Sequence, residues 1–525
     1  MRDKYLLAGI VVSLTASLGL TTAVQADTIL KPDAFKHYID SFNENDTEYF
    51  PPYIPNERAW QFLKANIPLF ECPDKDIEEI YYFRWWTYRK HIKDTPDGFV
   101  VDEFRPEVGW GGRHNTISCA AGHHIYEGRW LHDPQYMDDY EVFWLRKGGD
   151  AHRYSFWLAD AYYARHLVQP NKELITNLLD DFIANYASWE QRHMLDSGLF
   201  WQYDVADGME ESVCGSRRHR NARPTINSYM YGNAMAISKI AELAGRRDVA
   251  EQFRAKAMKI KRLVQTLLWD EDAKFYKVRL ENGNLCGARE AIGFVPWYFN
   301  LPDPGYEEGW EQLMDPGGFY APFGPTTAEQ RHPGFVIAYI GDDCQWNGPS
   351  WPYSTSQVLV ALANVLNNYQ QNVVTKADYV ETLKIYTKSH RLLRDDGEIV
   401  PWIDEDLDPY TGQWLARLRK LRYLDVNRRW RGKDYNHSTY SDLIITGLAG
   451  LRPRPDNTIE VNPLAPAAAW DWLCLDNVLY HGRIITILWD GTGRKYGKDK
   501  GLRVYADGRQ IARSDTLDRV TGKLP

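Results

Sequence analysis

Between about residues 150 and 450, segments with helical periodicity alternate with long loops that carry Gly, Pro and aromatic residues. In each helical segment apolar residues recur at i, i+3 and i+4, the pattern of a helix that buries one face. We predict helices at 150–167, 172–192, 225–244, 249–269, 354–366 and 376–393. No tight sequence repeat of roughly 20 to 50 residues accompanies them, which argues against a regular solenoid. Successive helical hairpins predict an all-α fold that closes into an α/α toroid.

Three long loops between the helices, 199–224, 317–351 and 400–440, are rich in Trp, Tyr, Asp and Glu. Long ordered loops of this kind usually carry function. The chain contains 20 Trp and 33 Tyr beside 19 Phe. Because a buried indole or phenol needs a hydrogen-bond partner, a core alone would favour Leu, Ile, Val and Phe. The surplus predicts an aromatic-lined cleft, which suits sugars because their C–H faces stack on rings.

The character of the chain changes after residues 451–455. Strand-like runs follow at 458–461, 472–480, 483–489 and 502–505, and Asn, Gly and Asp turns separate them. We therefore expect a toroidal domain at 27–455 and a small C-terminal β module at 456–525. Covering the helix ends of the toroid is a simpler role for this module than independent sugar binding.

The first 26 residues resemble a secretory signal peptide. Arg2 and Lys4 form a charged start, residues 5–24 are largely apolar, and small residues precede Asp27. An uncleaved anchor is the alternative, but Ser, Thr and Gly dilute the apolar stretch. We expect a soluble protein that is periplasmic or secreted, with no membrane insertion after cleavage.

Charge and cysteine content restrict partners and cofactors. The net charge is −9 and no long basic run occurs, since residues 217–220 are too few, so nucleic acid is not an expected partner. Six scattered cysteines form no Cys/His cluster, so we expect neither zinc nor any other cofactor, although an acidic turn could hold a structural calcium ion. One or two disulfides are compatible with export, and their pairing stays open.

Two acidic clusters lie in aromatic loops far apart in the sequence, at 199–211 and 401–412. Cleavage of a glycosidic bond needs one carboxylic acid to protonate the leaving oxygen and a second carboxylate to attack or to activate water. An acid beside Trp and Met can have its pKa raised by desolvation, as a proton donor requires. A solvated turn or a calcium loop is the alternative for each cluster, but their occurrence together favours catalysis.

These clusters resemble those of the (α/α)6-barrel glycosidases of glycoside hydrolase family 63 and the related mannosylglycerate hydrolases and trehalases. In that group a Gly-x-Asp-Asn loop carries the general acid, and residues 206–210 here occupy the comparable place. The base of family 63 opens a Glu-x-aromatic-Asn-Pro-x-Thr-Gly stretch, and residues 405–412 are similar. The resemblance implies Asp207 as the acid and Glu405 as the base that activates water. The other acids of the two loops stay open as alternatives: Asp204, Glu210 and Glu211 for the acid, and Asp404, Asp406 and Asp434 for the base.

A third stretch, 345–352, is similar to the Trp-Arg-Gly-Pro-x-Trp motif of these enzymes, with Asn347 in place of Arg. The three motifs keep their order over about residues 200–450, so the resemblance implies an (α/α)6 toroid. An Arg beside Trp rings can bind sugar hydroxyls while the rings stack, although helix packing explains residues 83–89 equally well. The predicted sugar-binding residues are Arg84, Trp85, Trp86, Trp110, Trp201, Gln202, Trp346, Asn347, Trp351 and His437.

The function that follows is that of an exported, inverting glycoside hydrolase that cleaves α-linked sugars from oligosaccharides. A polysaccharide lyase is the second hypothesis, because α/α toroids also host β-elimination and Tyr435, Asn436 and His437 could perform it. A glycan-binding protein without catalysis is the third. His123, His124 and Glu127 could imitate a metal site, but adjacent histidines point to different faces of a helix, so a structural role is expected.

Overall fold

The computed structural model describes residues 28–337, 344–466 and 469–525. The signal peptide predicted at 1–26 lies outside these residues. The helices are α1 Lys36–Glu44, α2 Ala59–Asn66, α3 Lys75–His91, α4 Ser118–Gly128, α5 Gln135–Arg146, α6 Leu158–His166, α7 Lys172–Asn177, α8 Leu179–His193, α9 Pro224–Leu243, α10 Arg247–Leu267, α11 Val295–Tyr298, α12 Pro352–Asn368, α13 Lys376–Ser389, α14 Leu415–Leu421, α15 Val426–Trp430 and α16 Ser441–Leu443. In the described part of the chain, no helix is both long and apolar enough to span a bilayer.

Six helical elements form the closed inner ring of a toroid. Each element contacts the next one in the order α4, α6, α9, α11, α12 and α16. The ring closes because α16 also contacts α4. Ring helices are buried on several sides, as in α9, where 16 of 20 residues are buried. The partner helix α10 instead buries one stripe that includes Phe253, Ile260 and Val264. The predicted α/α toroid is confirmed.

Most predicted helices are found, with informative differences at their ends. The predictions for α9, α10 and α12 agree within two residues at each end. Residues 150–157 are not helical, because the chain crosses the 205–207 turn there and the Ser155 N–H donates to the Ala206 carbonyl. The segment predicted at 172–192 is two helices, α7 and α8, and the one predicted at 376–393 ends at Ser389 before a strand.

The strands are short except near the C-terminus. They are β1 Leu69–Glu71, β2 Ile92–Thr95, β3 Gly98–Val101, β4 Trp269–Asp270, β5 Phe275–Tyr276, β6 Arg391–Leu393, β7 Ile399–Pro401, β8 Thr458–Val461, β9 Trp472–Tyr480, β10 Arg483–Asp490, β11 Gly501–Ala506, β12 Arg509–Ser514 and β13 Val520–Lys523. The predicted β-rich C-terminal segment is confirmed. Its five-stranded antiparallel sheet has the order β1-β9-β10-β11-β12, so a strand from the N-terminal part of the chain forms one edge.

Much of the tryptophan surplus is structural. Trp85, Trp130, Trp157, Trp297, Trp310, Trp351 and Trp414 are among the largest fully buried side chains. Trp157, for example, packs at a tilt against Tyr229 and Tyr298. The number of tryptophans alone therefore overstates how many of them could line an aromatic cleft.

Candidate active site

A cavity of about 420 Å³ lies where the N-terminal ends of the ring helices converge. Cys119 in the first turn of α4 and Trp351 at the start of α12 line it. The lining contains three carboxyl groups, those of Glu103, Glu210 and Glu405. Its cationic side chains are Arg217, Arg419, Lys420, Arg428 and Arg431. Its aromatic side chains are Phe104, Trp110, Tyr154, Trp351, Tyr423 and Tyr435. The size and the mixture of polar and aromatic groups suit a sugar.

Glu210 has the properties of a proton donor. It lies in the loop before α9, and its carbonyl accepts a 3.0 Å hydrogen bond from the Trp346 N–H. Burial, with a contribution from the nearby charge of Glu405, raises the pKa of Glu210 to about 7. A carboxyl group with this pKa still holds a proton near neutral pH.

Glu405 has the opposite properties. Its carboxylate is 3% exposed and lies 2.8 Å from Lys420 Nζ. Burial opposes ionisation, but the positive charges of Lys420, Arg431 and Arg419 outweigh it and lower the pKa of Glu405. One cavity therefore holds a carboxyl group biased to stay protonated and a carboxylate biased to stay ionised, the pairing that general acid and general base catalysis requires.

Asp207, predicted as the acid, does not line this cavity. Its side chain is fully buried, and Arg223 Nε donates to it at 2.8 Å. The hydroxyls of Ser155 and Thr225 also donate to it. The turn at Val205–Asp207 ends at Gly208, whose φ of 71° reverses the chain. Asp207 thus points toward Arg223, and the assignment of Asp207 as the acid is corrected.

The other alternative acids do not line the cavity either. Glu211 has a half-exposed side chain with Arg217 3.2 Å away. Asp204 accepts from its neighbour's N–H, at Val205. The three acids that were alternatives to Glu405 as the base each form an ion pair: Asp404 with Arg417, Asp406 with Arg419, and Asp434 with Lys90.

Of the ten predicted sugar-binding residues, the structure brings only Trp110 and Trp351 to the cavity. Trp346 stacks on Trp351 with centroids 4.5 Å apart and supports it from behind. Arg84 is buried and donates to the Ser438 carbonyl and hydroxyl, so it ties α3 to the ring. The other predicted sugar-binding residues do not line the cavity either, and their assignment is corrected, because they pack against neighbouring protein groups: Trp85, Trp86, Trp201, Gln202, Asn347 and His437.

The three residues that could perform β-elimination do not all line the cavity. Tyr435 lines the cavity and donates to Glu103, whereas Asn436 and His437 do not line it. His124 and Glu127 have structural partners: His124 bonds the Asn436 carbonyl, and Glu127 accepts the N–H groups that begin α16.

The opposite mouth of the toroid holds a second cavity of about 340 Å³, which the C-terminal halves of the ring helices line. It contains Asp160 and Asp442. Asp442 accepts from Arg129 Nη2 and from Trp130 Nε1, each at 2.7 Å, so it is held as an ion pair. Asp160 accepts a 2.7 Å hydrogen bond from the Tyr126 hydroxyl, so both acids of this cavity have protein partners.

Sequence reasoning missed Glu103 as a site residue and considered Glu210 only as an alternative. A partial signal for Glu210 is present, because Gly208-Met209-Glu210-Glu211 has the Gly of the Gly-x-Asp-Asn pattern and an acid at its third position, three residues beyond Asp207. No comparable local pattern surrounds Glu103, which the β3 strand and the following turn bring to the cavity.

A six-helix ring with paired carboxyl groups at one mouth is the architecture of the six-hairpin class, and residues 113–438 match the mannosylglycerate hydrolase MGH1-like glycoside hydrolase domain. The chain belongs to this family of glycoside hydrolase domains, as the resemblance of its motifs predicted. Residues 451–512 match the C-terminal domain of glycosyl hydrolase family 65.

Solved structures show the same architecture. A chain titled "Sialidase" is 45% identical with a TM-score of 0.88; the match covers 94% of this chain and 45% of that one. This protein thus spans less than half the length of that relative. A family 78 rhamnosidase of Bacillus sp. GL1 is 12% identical with a TM-score of 0.56, covering 84% and 41% of the two chains. An α-L-rhamnosidase of Streptomyces avermitilis is 12% identical with a TM-score of 0.51, covering 86% and 38%. The two rhamnosidases share the fold alone.

Proposed function

We propose that this glycoside hydrolase inverts configuration, with Glu210 as general acid and Glu405 as general base. The observation that supports it is the opposite bias of the two carboxyl groups in one cavity: the pKa of Glu210 is raised to about 7 and that of Glu405 is lowered. The resemblance of residues 405–412 to the base motif of family 63 adds to this.

The reaction would proceed in one displacement. Glu210 gives its proton to the glycosidic oxygen as the bond from that oxygen to the anomeric carbon breaks. Glu405 takes a proton from a water molecule, whose oxygen attacks the anomeric carbon from the opposite face. Lys420 keeps Glu405 ionised before the reaction. After product release, proton exchange with solvent restores both groups.

We further propose that the substrate is an α-linked glycoside with an anionic group. Five cationic side chains line the cavity of a chain whose net charge is −9. Arg431 lies with its guanidinium 4.7 Å from the Trp110 ring, and its Nε is buried without a hydrogen-bond acceptor. Among the described residues, neither Arg428 nor Arg431 has a carboxylate within ion-pair distance. A carboxylate of the substrate would supply the missing acceptor.

The names of relatives agree with this proposal. Mannosylglycerate, which names the family, carries a carboxylate on its glycerate, and the 45%-identical chain is titled a sialidase. The proposal is tested with mannosylglycerate, sialyllactose and neutral α-gluco- and α-manno-oligosaccharides. We expect turnover of an acidic glycoside and at least tenfold slower turnover of its methyl ester. Equal rates for acid and ester, or an unsaturated product from a uronate polymer, would overturn it.

Stereochemistry and the two roles need a separate experiment. Proton NMR of the first-formed product should show the anomer opposite to that of the substrate, and a retained anomer would exclude the mechanism. Glu210→Gln and Glu405→Gln should each lower kcat by about 10³-fold. Glu211→Gln is the matched control, because it removes an adjacent carboxylate that does not line the cavity.

We propose that the protein is exported by the 1–26 leader, into the periplasm or the medium, and that catalysis needs no cofactor. N-terminal sequencing of the protein from cell fractions should give a chain that starts near Asp27. Activity should survive dialysis against a chelator, and loss that calcium restores would show a structural ion instead.

A further inference from the structure

Glu103 supplies a third carboxyl group to the cavity that Glu210 and Glu405 line. It is 3% exposed and follows strand β3. The hydroxyl of Tyr435 donates to its Oε1. Its other oxygen, Oε2, lies 3.8 Å from the Cys119 Sγ, which is a weak hydrogen-bonding group. The side chain is thus anchored at one oxygen, and the second oxygen has no strong protein partner among the described residues.

The charges around Glu103 do not favour its ionised form. The neighbouring carboxylate of Asp102 takes the local cations, with His91 at 2.8 Å and Arg105 at 3.1 Å. Within the described residues, no Lys, Arg or His nitrogen lies within 4.0 Å of the Glu103 carboxyl group. The titratable groups near it are Tyr140, Tyr154, Cys119 and Tyr435, and the carboxyl groups of Glu210 and Glu405.

Burial, followed by the repulsion from Glu405 and Glu210, raises the pKa of Glu103 to about 8, although the Tyr435 hydrogen bond opposes this. At neutral pH the group therefore keeps its proton. A buried carboxylic acid held neutral can donate a hydrogen bond that a carboxylate cannot. Oε1 accepts the hydrogen bond of the Tyr435 hydroxyl, whereas Oε2 accepts only the weak one of the Cys119 thiol at 3.8 Å, so Oε2 is the oxygen better placed to carry the proton.

We propose that Glu103 is a substrate-binding residue that acts as a neutral carboxylic acid: its Oε2–H donates a hydrogen bond to an oxygen of the sugar held between Glu210 and Glu405. This role rests on the proposed function of the cavity. It differs from the acid and base roles because the proton is not transferred. It also explains how three carboxyl groups share one cavity, since only Glu405 carries a full negative charge at neutral pH.

Two variants separate donation from charge. Glu103→Gln keeps a carbonyl for Tyr435 and an N–H donor for the sugar, whereas Glu103→Met has similar length and no donor. With mannosylglycerate and sialyllactose as substrates, we expect the Gln variant to stay within about tenfold of wild-type kcat/KM. We expect the Met variant to lose about 10- to 100-fold, with KM raised. Both proteins should lose activity as Glu210 ionises near pH 7, and above pH 8 the wild type should fall further, so the ratio of Glu103→Gln to wild-type kcat/KM should rise.

A measurement without substrate completes the test. Glutamate labelled with ¹³C at the carboxyl carbon should show one resonance that titrates near pH 8 and is absent from Glu103→Gln. Titration below pH 5, equal losses in the Gln and Met variants, or a fully active Met variant would each overturn the proposal. If the Glu103→Met substitution prevents folding, the titration in wild-type protein decides. Activity surviving in Glu210→Gln or Glu405→Gln would instead refute the acid and base assignment and leave the Glu103 titration unaffected.

Discussion

Replacing Asp207 with Asn should damage the fold more than the chemistry. The carboxylate is fully buried and neutralises Arg223, whose side chain is also fully buried. Removing one partner of a buried ion pair typically costs about 3–5 kcal/mol, because the other charge stays buried without compensation. The remaining hydrogen-bond partners of Arg223, the Ser212 hydroxyl at 3.2 Å and the Met209 sulfur at 3.8 Å, carry no charge, and the nearby acids Glu290 and Asp204 form no ion pair with it within 4.0 Å in the described part of the chain. We therefore expect the free energy of unfolding to fall by about 3–5 kcal/mol.

The assay compares this variant with Glu210→Gln. Urea unfolding at pH 7, followed by tryptophan fluorescence, gives the change in stability, and kcat is measured where both variants are folded. Asp207→Asn should unfold at lower urea and keep most of its kcat. Glu210→Gln should lose about 10³-fold in kcat with stability changed by less than about 1 kcal/mol. An Asp207→Asn protein as stable as wild type but as inactive as Glu210→Gln would refute this reasoning.

Three further predictions concern the site and its support. The profile of kcat/KM against pH should fall on the alkaline side with an apparent pKa near 7, as Glu210 loses its proton. Its acid limb should lie below pH 4.5, where Glu405 gains a proton. An alkaline limb above pH 9 would contradict the assignment of Glu210. Lys420→Met should move the acid limb upward, because Glu405 would lose the largest of the positive charges that offset its burial, and Lys388→Met on α13 is the control. Cys214 and Cys286, 72 residues apart, form a disulfide, and its reduction should lower the free energy of unfolding by at most roughly 4 kcal/mol. The thermal midpoint, measured with and without reductant, should fall as well. An unchanged midpoint would show that the disulfide does not stabilise the fold.

The sequence predicts best those elements in which few charged residues are buried. Helix α10 has one apolar stripe, and strands β9 and β10 alternate or run apolar between clear turns, so their positions follow from periodicity. Helix α3 was not predicted, because its 14 buried residues, out of 17, include charged ones such as Arg84, Arg89 and Lys90. Helix α12 buries as large a share, 14 of 17, but contains no charged residue, and it was predicted. A helix that buries its charged residues in ion pairs and hydrogen bonds shows no one-sided pattern to detect.

For the site, the residue implied by the base motif lines the cavity, whereas the residue implied by the acid motif does not. Residues 405–412 carry enough fixed positions to identify Glu405 as the candidate base. The loop 204–211 contains four acids, and the sequence does not specify which of them the turn at Gly208 directs inward. The contact of Asp207 with Arg223 spans 16 residues, and that of Glu103 with Tyr435 spans 332. Contacts of this kind depend on tertiary structure and leave no local signal.

The edge strand β1 has a consequence for how the chain folds during synthesis. Its residues Leu69–Glu71 pair with residues 474–476 of β9, which the ribosome makes about 400 residues later. Until then, the exposed backbone of β1 can pair with other chains. Non-local pairing of this kind slows folding and favours aggregation of incomplete chains. A nascent chain stopped before residue 472 would therefore keep an open edge beside a nearly finished ring, and this edge is covered only once β9 has been made.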